Sequence, residues 1–111
     1  WNATQMASSL RNKYGENTVF FAQQSMTGLN DASKHFKRLI IENRIHFKND
    51  IFVWNCLNSY VKLNSTGTLL QVTKETPDSK NKIDGVMACI NALDRWLING
   101  VEGSEPIITL V

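Results

Sequence analysis

Ser79-Lys80-Asn81-Lys82-Ile83-Asp84-Gly85-Val86-Met87-Ala88-Cys89-Ile90-Asn91-Ala92-Leu93-Asp94-Arg95-Trp96-Leu97-Ile98 is the stretch on which the reading of the chain turns. Ile83, Val86, Met87, Ile90, Leu93 and Leu97 recur every three or four positions, which predicts a helix from about Ile83 to Ile98 with one apolar face. Gly100 is the expected stop. Ahead of this helix, Glu75 to Asn81 is polar, contains Pro77 and reads as a loop. Asp84 therefore stands at the mouth of a mostly apolar helix, with Lys80 and Lys82 just before it and Gly85 just after. A carboxylate in a first helical turn is favoured by the macrodipole and can do no more than cap the helix. The same placement suits a divalent-metal ligand, because the glycine admits close approach and the lysines attract phosphate. Spacing alone leaves both readings open.

Outward from this segment the chain alternates between helical and extended patterns. Val61 to Leu63 and Leu69 to Lys74 flank the turn-forming Asn64-Ser65-Thr66-Gly67 and predict a β-hairpin. A helix is expected from Asp50 to about Ser59, capped by Asn49 or Asp50, with Ile51, Trp54 and Leu57 facing inward and Trp54 as a core anchor. Arg44 to Phe47 reads as a short extended piece. Before it, Leu29, Ala32, Phe36, Leu39 and Ile40 recur at helical spacing, while Lys34, Lys37 and Arg38 fall largely on the other side. Thr18 to Ala22, β-branched and aromatic, predicts a short buried strand. Ala3, Met6, Ala7, Leu10 and Tyr14 predict a first helix closed by Gly15. At the other end, Ile107 to Val111 either docks as a strand or continues into further chain. This succession suggests a layered α/β arrangement.

A chain of 111 residues has the size of one small domain with one core. It opens at Trp1 without an initiator methionine, and its first helical pattern starts within three residues, so the expectation is a part of something longer. Its 42% hydrophobic and 20% charged residues fit an ordinary globular protein. No apolar run approaches the roughly 18 residues of a membrane helix, so no membrane partner is expected. The net charge of +2 is too small to imply a nucleic-acid partner by itself. Its distribution is uneven: Lys34, Lys37, Arg38, Arg44 and Lys48 stand against the single acid Glu42, and Lys74, Lys80 and Lys82 form a second cluster. Solvated faces and phosphate contacts both fit such clusters.

Enzymatic chemistry has few places to reside. Cys56 and Cys89 lack CxxC spacing and read as buried free thiols of a reducing cytosol. His35 and His46 are not at a recognised ligand spacing and read as surface or partly buried residues. Asn2-Ala3-Thr4 and Asn64-Ser65-Thr66 match the glycosylation sequon, a pattern short enough to arise by chance. Glycine-rich phosphate loops, GxSxG elbows, HExxH pairs and nucleophile triads are absent, which leaves the acids.

Ser79 to Ala88, continuing to Ala92-Leu93-Asp94-Arg95, resembles the C-terminal motif of phage terminase large subunits, a lysine-isoleucine-aspartate-glycine step leading into an apolar helix. Three upstream stretches resemble the same family in the same order: Trp1-Asn2-Ala3, then Asn43-Arg44-Ile45-His46 with Asn49 and Trp54, then Asn58 leading into the hairpin. Asp50 departs from the pattern, standing where a proline is common after Asn49. The likeness spans roughly residues 1 to 98 and implies the C-terminal portion of an RNase H-like nuclease fold, with helices flanking a sheet and an accessory β-hairpin. Residues 1–111 would then be part of a single nuclease domain, with its first strands and an ATPase domain upstream.

What the resemblance further implies is a metal-dependent endonuclease that cuts concatemeric double-stranded phage DNA in the host bacterial cytoplasm, with the terminase small subunit and the portal as partners. Asp84 matches the last of the family's acids, a catalytic ligand of two Mg²⁺ or Mn²⁺ ions whose other ligands would come from upstream acids. One carboxylate cannot hold two metals, so this chain alone is expected to be inactive. The hairpin resembles the accessory hairpin beside the DNA groove, where Lys62, Lys74, Lys80 and Lys82 would neutralise backbone phosphates without reading sequence. Two alternatives stay open: another RNase H-like enzyme, such as a resolvase or transposase core, and a non-catalytic nucleic-acid-binding or assembly module in which Asp84 only caps a helix.

Overall fold

The computed structural model describes residues 3–99 and 108–110. Its elements follow in the order α1 (Ala3–Tyr14), α2 (Met26–Ile41), β1 (Ile45–Phe47), α3 (Asp50–Leu57), β2 (Tyr60–Leu63), β3 (Leu70–Thr73), α4 (Asp84–Asn99) and β4 (Ile108–Leu110). Trp1, Asn2 and Gly100 lie outside the described residues, and with them the resemblance at the first two and the expected helix stop at the third.

Helix α2 begins where Ser25, in an extended conformation, accepts the Gly28 N–H on its hydroxyl at 3.0 Å. Its expected apolar face buries Leu29, Ala32, Phe36 and Leu39 against the face of α4 that carries Val86, Ile90 and Leu93. Leu39, Val86 and Ile90 are fully enclosed, and burying each such side chain contributes about 1.5 to 3 kcal/mol. Ile40, expected on the same face, is instead exposed, since a helix turns about 100° per residue and position 40 falls past the edge of the contact.

The predicted hairpin forms. β2 and β3 pair antiparallel with Tyr60 opposite Thr73 and Leu63 opposite Leu70. Gly67, at φ 72°, supplies the left-handed residue of the turn. The Asn64 side chain organises that turn: its Oδ1 accepts the Leu69 N–H at 2.9 Å, and its Nδ2 donates to the hydroxyls of Thr66 and Thr68 at 3.0 Å each. The hairpin is tied to α2 by Lys34 Nζ, which donates to the Thr68 carbonyl at 2.7 Å, and by Asn30 Oδ1, which accepts the Leu70 N–H at 2.9 Å. β3 turns Leu70 and Val72 into the core, whereas all of β2 is exposed. β4 pairs parallel with β1, Ile45 opposite Ile108, so the apolar tail docks as a strand over Ile108–Leu110. The architecture is thus mixed α/β, with two small two-stranded sheets among the described residues.

Two further expectations, the Thr18 to Ala22 strand and the inward face of α3, are corrected, and α1 forms as expected with little burial. Thr18 to Ala22 forms no strand. A strand needs a neighbour for its backbone, and this segment is held by side chains instead: Arg11 Nε donates to the Val19 carbonyl at 2.9 Å, while Arg95 lies 3.6 Å from the centre of the Phe20 ring. α1 forms, and Gly15 at φ 109° ends it with its N–H on the Arg11 carbonyl, but only Ala7 is buried; Met6, Leu10 and Tyr14 face solvent. α3 forms and is rotated from expectation. Its inward residues are Phe52 and Asn55, while Ile51, Trp54 and Leu57 are 70%, 44% and 78% exposed. Trp54 is therefore no core anchor. Phe52 takes that place, edge-on to Phe47 with ring centres 5.1 Å apart.

Candidate functional site around Asp84

Asn49 starts α3: its Oδ1 accepts the Phe52 N–H at 3.0 Å. Asp50 occupies the first helical position, where a proline would also fit, so the departure at this residue leaves the helix start intact, and its negative charge suits the first turn. α3 then packs against the beginning of α4. Between the two lies an open cavity of about 400 Å³ lined by Ile51, Phe52, Trp54, Asn55, Lys82, Asp84 and Gly85, among others.

Asp84 is the first residue of α4 and is exposed. Its neighbours are fixed at three points. Ile83 is buried in the core, and its carbonyl accepts the first helical bond of α4, from the Met87 N–H at 3.0 Å. The Lys82 carbonyl accepts Asn58 Nδ2 at 3.0 Å. The Gly85 N–H, one of the donors that a helix start leaves without an internal partner, donates to Asn55 Oδ1 at 2.7 Å. Asn55 is only 3% exposed, and its Nδ2 donates in turn to the Ile51 carbonyl at 2.9 Å. Both ends of a buried amide are thus satisfied. It is Asn55 on α3, through its bond to Gly85, that satisfies a free donor of α4's first turn, while Asp84 beside it is exposed.

Sequence reading places Asp84 and Lys82 here and misses Asn55. A signal for it exists: a lone amide within Ile51-Phe52-Val53-Trp54-Asn55-Cys56-Leu57, all apolar otherwise, must find partners if it is buried. Of the lysines, Lys82 shares the cavity with Asp84. Lys80 is exposed in the preceding loop, Lys62 is exposed on β2 opposite Gln71, and Lys74 is half-buried just past β3; none of these three lines the cavity.

Among the described residues no group of three or more His, Cys, Asp or Glu side chains is placed to hold a metal ion. Asp84 fits a divalent cation as one carboxylate ligand, of the kind that leaves the other positions to water, substrate phosphate and further acids. His46 is exposed on β1, and His35 is half-buried on α2, its ring edge-on to Trp96 at 6.1 Å. Partial burial, followed by the nearby Arg38 guanidinium, lowers the His35 pKa below its ordinary value. Cys56 and Cys89 are free and partly buried, and burial pushes both thiols up, with the neighbouring Cys56 adding to the effect at Cys89. Among the described residues no helix is long and apolar enough to cross a membrane.

The frame is that of a small mixed α/β protein with an exposed aspartate on a fixed helix start and a lysine lining the same cavity. The chain belongs to the family described as terminase large subunit, endonuclease domain, whose profile matches residues 1–99. Membership gives it a nuclease role in a terminase, with DNA as the class of substrate and DNA packaging as the setting. No curated protein and no solved structure matches the chain.

Proposed function

We propose that the chain contributes Asp84 as a metal-ligating carboxylate to a divalent-metal-dependent endonuclease that cuts concatemeric double-stranded DNA during packaging. The observation that carries this reading is the setting of Asp84: an exposed carboxylate on a backbone fixed at Lys82, Ile83 and Gly85, with Lys82 in the same cavity. Asp84 would hold a divalent cation as one of its carboxylate ligands, and the bound metal would supply activation of a water and stabilisation of the leaving oxygen of the phosphodiester. The chain's own part is to present the Asp84 carboxylate from a fixed backbone and to set positive charge from Lys82, and from Lys80 in the adjoining loop, where DNA phosphates approach. RNase H-like topology, Mg²⁺ or Mn²⁺ as the ions, further acids upstream, and the small subunit and portal as partners all follow from the same reading.

The test is plasmid nicking in Mn²⁺ by the full-length protein that carries this chain and by its Asp84→Asn variant, with circular dichroism as the folding control. Asparagine keeps the size and helix-start preference of aspartate but is a far poorer ligand for a hard cation. Loss of cleavage in a folded variant is expected. Cleavage at the wild-type rate would reduce Asp84 to a helix-start residue and favour a non-catalytic module.

A further inference from the structure

We infer that Asn55 and Asn58 of α3 are positioning residues for Asp84, acting together as a two-point clamp on the backbone either side of it. The inference rests on the reading of Asp84 as a metal ligand. Asn58 Nδ2 holds the Lys82 carbonyl and Asn55 Oδ1 holds the Gly85 N–H, so the clamp closes on residues 82 and 85 and leaves the Asp84 side chain untouched.

The geometry argues for more than packing. A helix start facing an open cavity can satisfy its donors with water, so a buried amide is not needed to solve the hydrogen-bonding problem. Yet Asn55 is enclosed, makes a short bond to Gly85, and is itself braced by the Ile51 carbonyl one turn earlier on α3. That turn is anchored in its own right, since Ser59 Oγ donates to the Asn55 carbonyl at 2.8 Å. α3 also packs closely on Gly85: a Cβ there would stand 3.3 Å from Asn55 Oδ1 and 3.4 Å from Phe52 Cδ2. The result is that the direction of the first turn of α4 is dictated by α3. A ligand atom must be held within a fraction of an ångström to bind a cation well, and groups that orient ligands from behind commonly govern affinity by about 10- to 100-fold.

Three measurements on the full-length protein test the clamp: the Mn²⁺ dissociation constant by electron paramagnetic resonance of free Mn²⁺, the Mn²⁺ concentration for half-maximal plasmid nicking, and hydrogen exchange of the segment 82–87. Asn55→Ala is expected to raise both metal midpoints by about 10-fold or more and to speed exchange in that segment, at a temperature where circular dichroism shows the protein folded. Asn58→Ala, at a half-buried position, is expected to do the same to a smaller degree and serves if Asn55→Ala fails to fold. Leu70→Ala, a core truncation in the hairpin, supplies a general loss of stability and is expected to leave both midpoints unchanged. Midpoints unaltered in the two asparagine variants, or shifted equally by Leu70→Ala, would overturn the clamp. If Asp84→Asn abolishes cleavage while the asparagine variants behave as wild type, only the clamp is lost; an active Asp84→Asn overturns both readings.

Discussion

The side-chain oxygen of Asn55 accepts the backbone N–H of Gly85 at 2.7 Å, so the helix that carries Asp84 is capped by a residue from a different helix. Most helix starts are capped from within by the residue that precedes them. Here that position is taken by Ile83, which is buried and has no side-chain oxygen to offer. The helix start therefore depends on tertiary contact.

Gly85→Ala tests how closely that contact is fitted. In an ordinary helix the change stabilises by about 0.5 to 1 kcal/mol. At this position the new methyl would stand 3.3 Å from Asn55 Oδ1, so the amide must give by a few tenths of an ångström and stretch its 2.7 Å bond to Gly85. A lower melting temperature is expected by thermal denaturation; a higher one would show that α3 moves aside at little cost.

Lys80 and Lys82 lie just before Asp84 and are both exposed. Replacing both with alanine is expected to weaken binding of the full-length protein to every duplex about equally, and to flatten the dependence of log K on log salt by roughly one for each phosphate that is no longer neutralised. Binding titrations on two unrelated duplexes over a range of salt decide it. Weakening confined to one duplex, or none at all, would remove the phosphate role.

Ile90 and Trp54 should separate sharply in stability. Ile90 is wholly enclosed on the face of α4 that packs against α2, and its truncation to alanine should cost about 2 to 5 kcal/mol. Trp54 is 44% exposed, and Trp54→Ala should cost well below the about 3 to 5 kcal/mol of a buried tryptophan. Denaturant midpoints of the two variants would show it, and equal destabilisation would mean that α3 turns its other face inward.

The two cysteines should react slowly. Burial raises both thiol pKa values, so near neutral pH the reactive thiolate is scarcer than in an unfolded chain. Iodoacetamide labelling should be much slower in native than in denatured protein and should accelerate as pH rises past the usual thiol range. The sign for stability follows. With the folded values raised, the contribution is full below the ordinary thiol pKa and is lost as pH climbs above it. A double Cys56→Ser, Cys89→Ser variant should lack that alkaline slope.

Much of the frame is legible in the sequence because its patterns are one-sided. α2 and α4 each carry an apolar stripe opposite polar residues, and the hairpin carries a turn that only a few residue types can make. The face of α3 is not legible, because Ile51, Phe52, Val53, Trp54, Cys56 and Leu57 surround it on nearly every side and periodicity names none. Size suggests Trp54 as the buried residue, whereas packing chooses Phe52 and Asn55. Thr18 to Ala22 has strand composition but no strand beside it among the described residues, and propensity cannot supply one. At the site, the sequence points to Asp84 through its neighbours in the chain. Asn55 is thirty residues away from Gly85, and only the fold brings the two together.

The parallel pairing of β1 with β4 joins two segments that have α3, the hairpin and all of α4 between them. Closing a loop of that length has to be met in entropy before any strand contact rewards it, whereas the β2–β3 turn closes locally within about 1 to 10 µs. The local hairpin is therefore expected to form before the β1–β4 pairing. Pulsed hydrogen exchange during refolding should find the amides of residues 60–73 protected before those of residues 45–47. The helix bearing Asp84 packs on α2 and α3, so removal of the β4 strand should leave that helix in place.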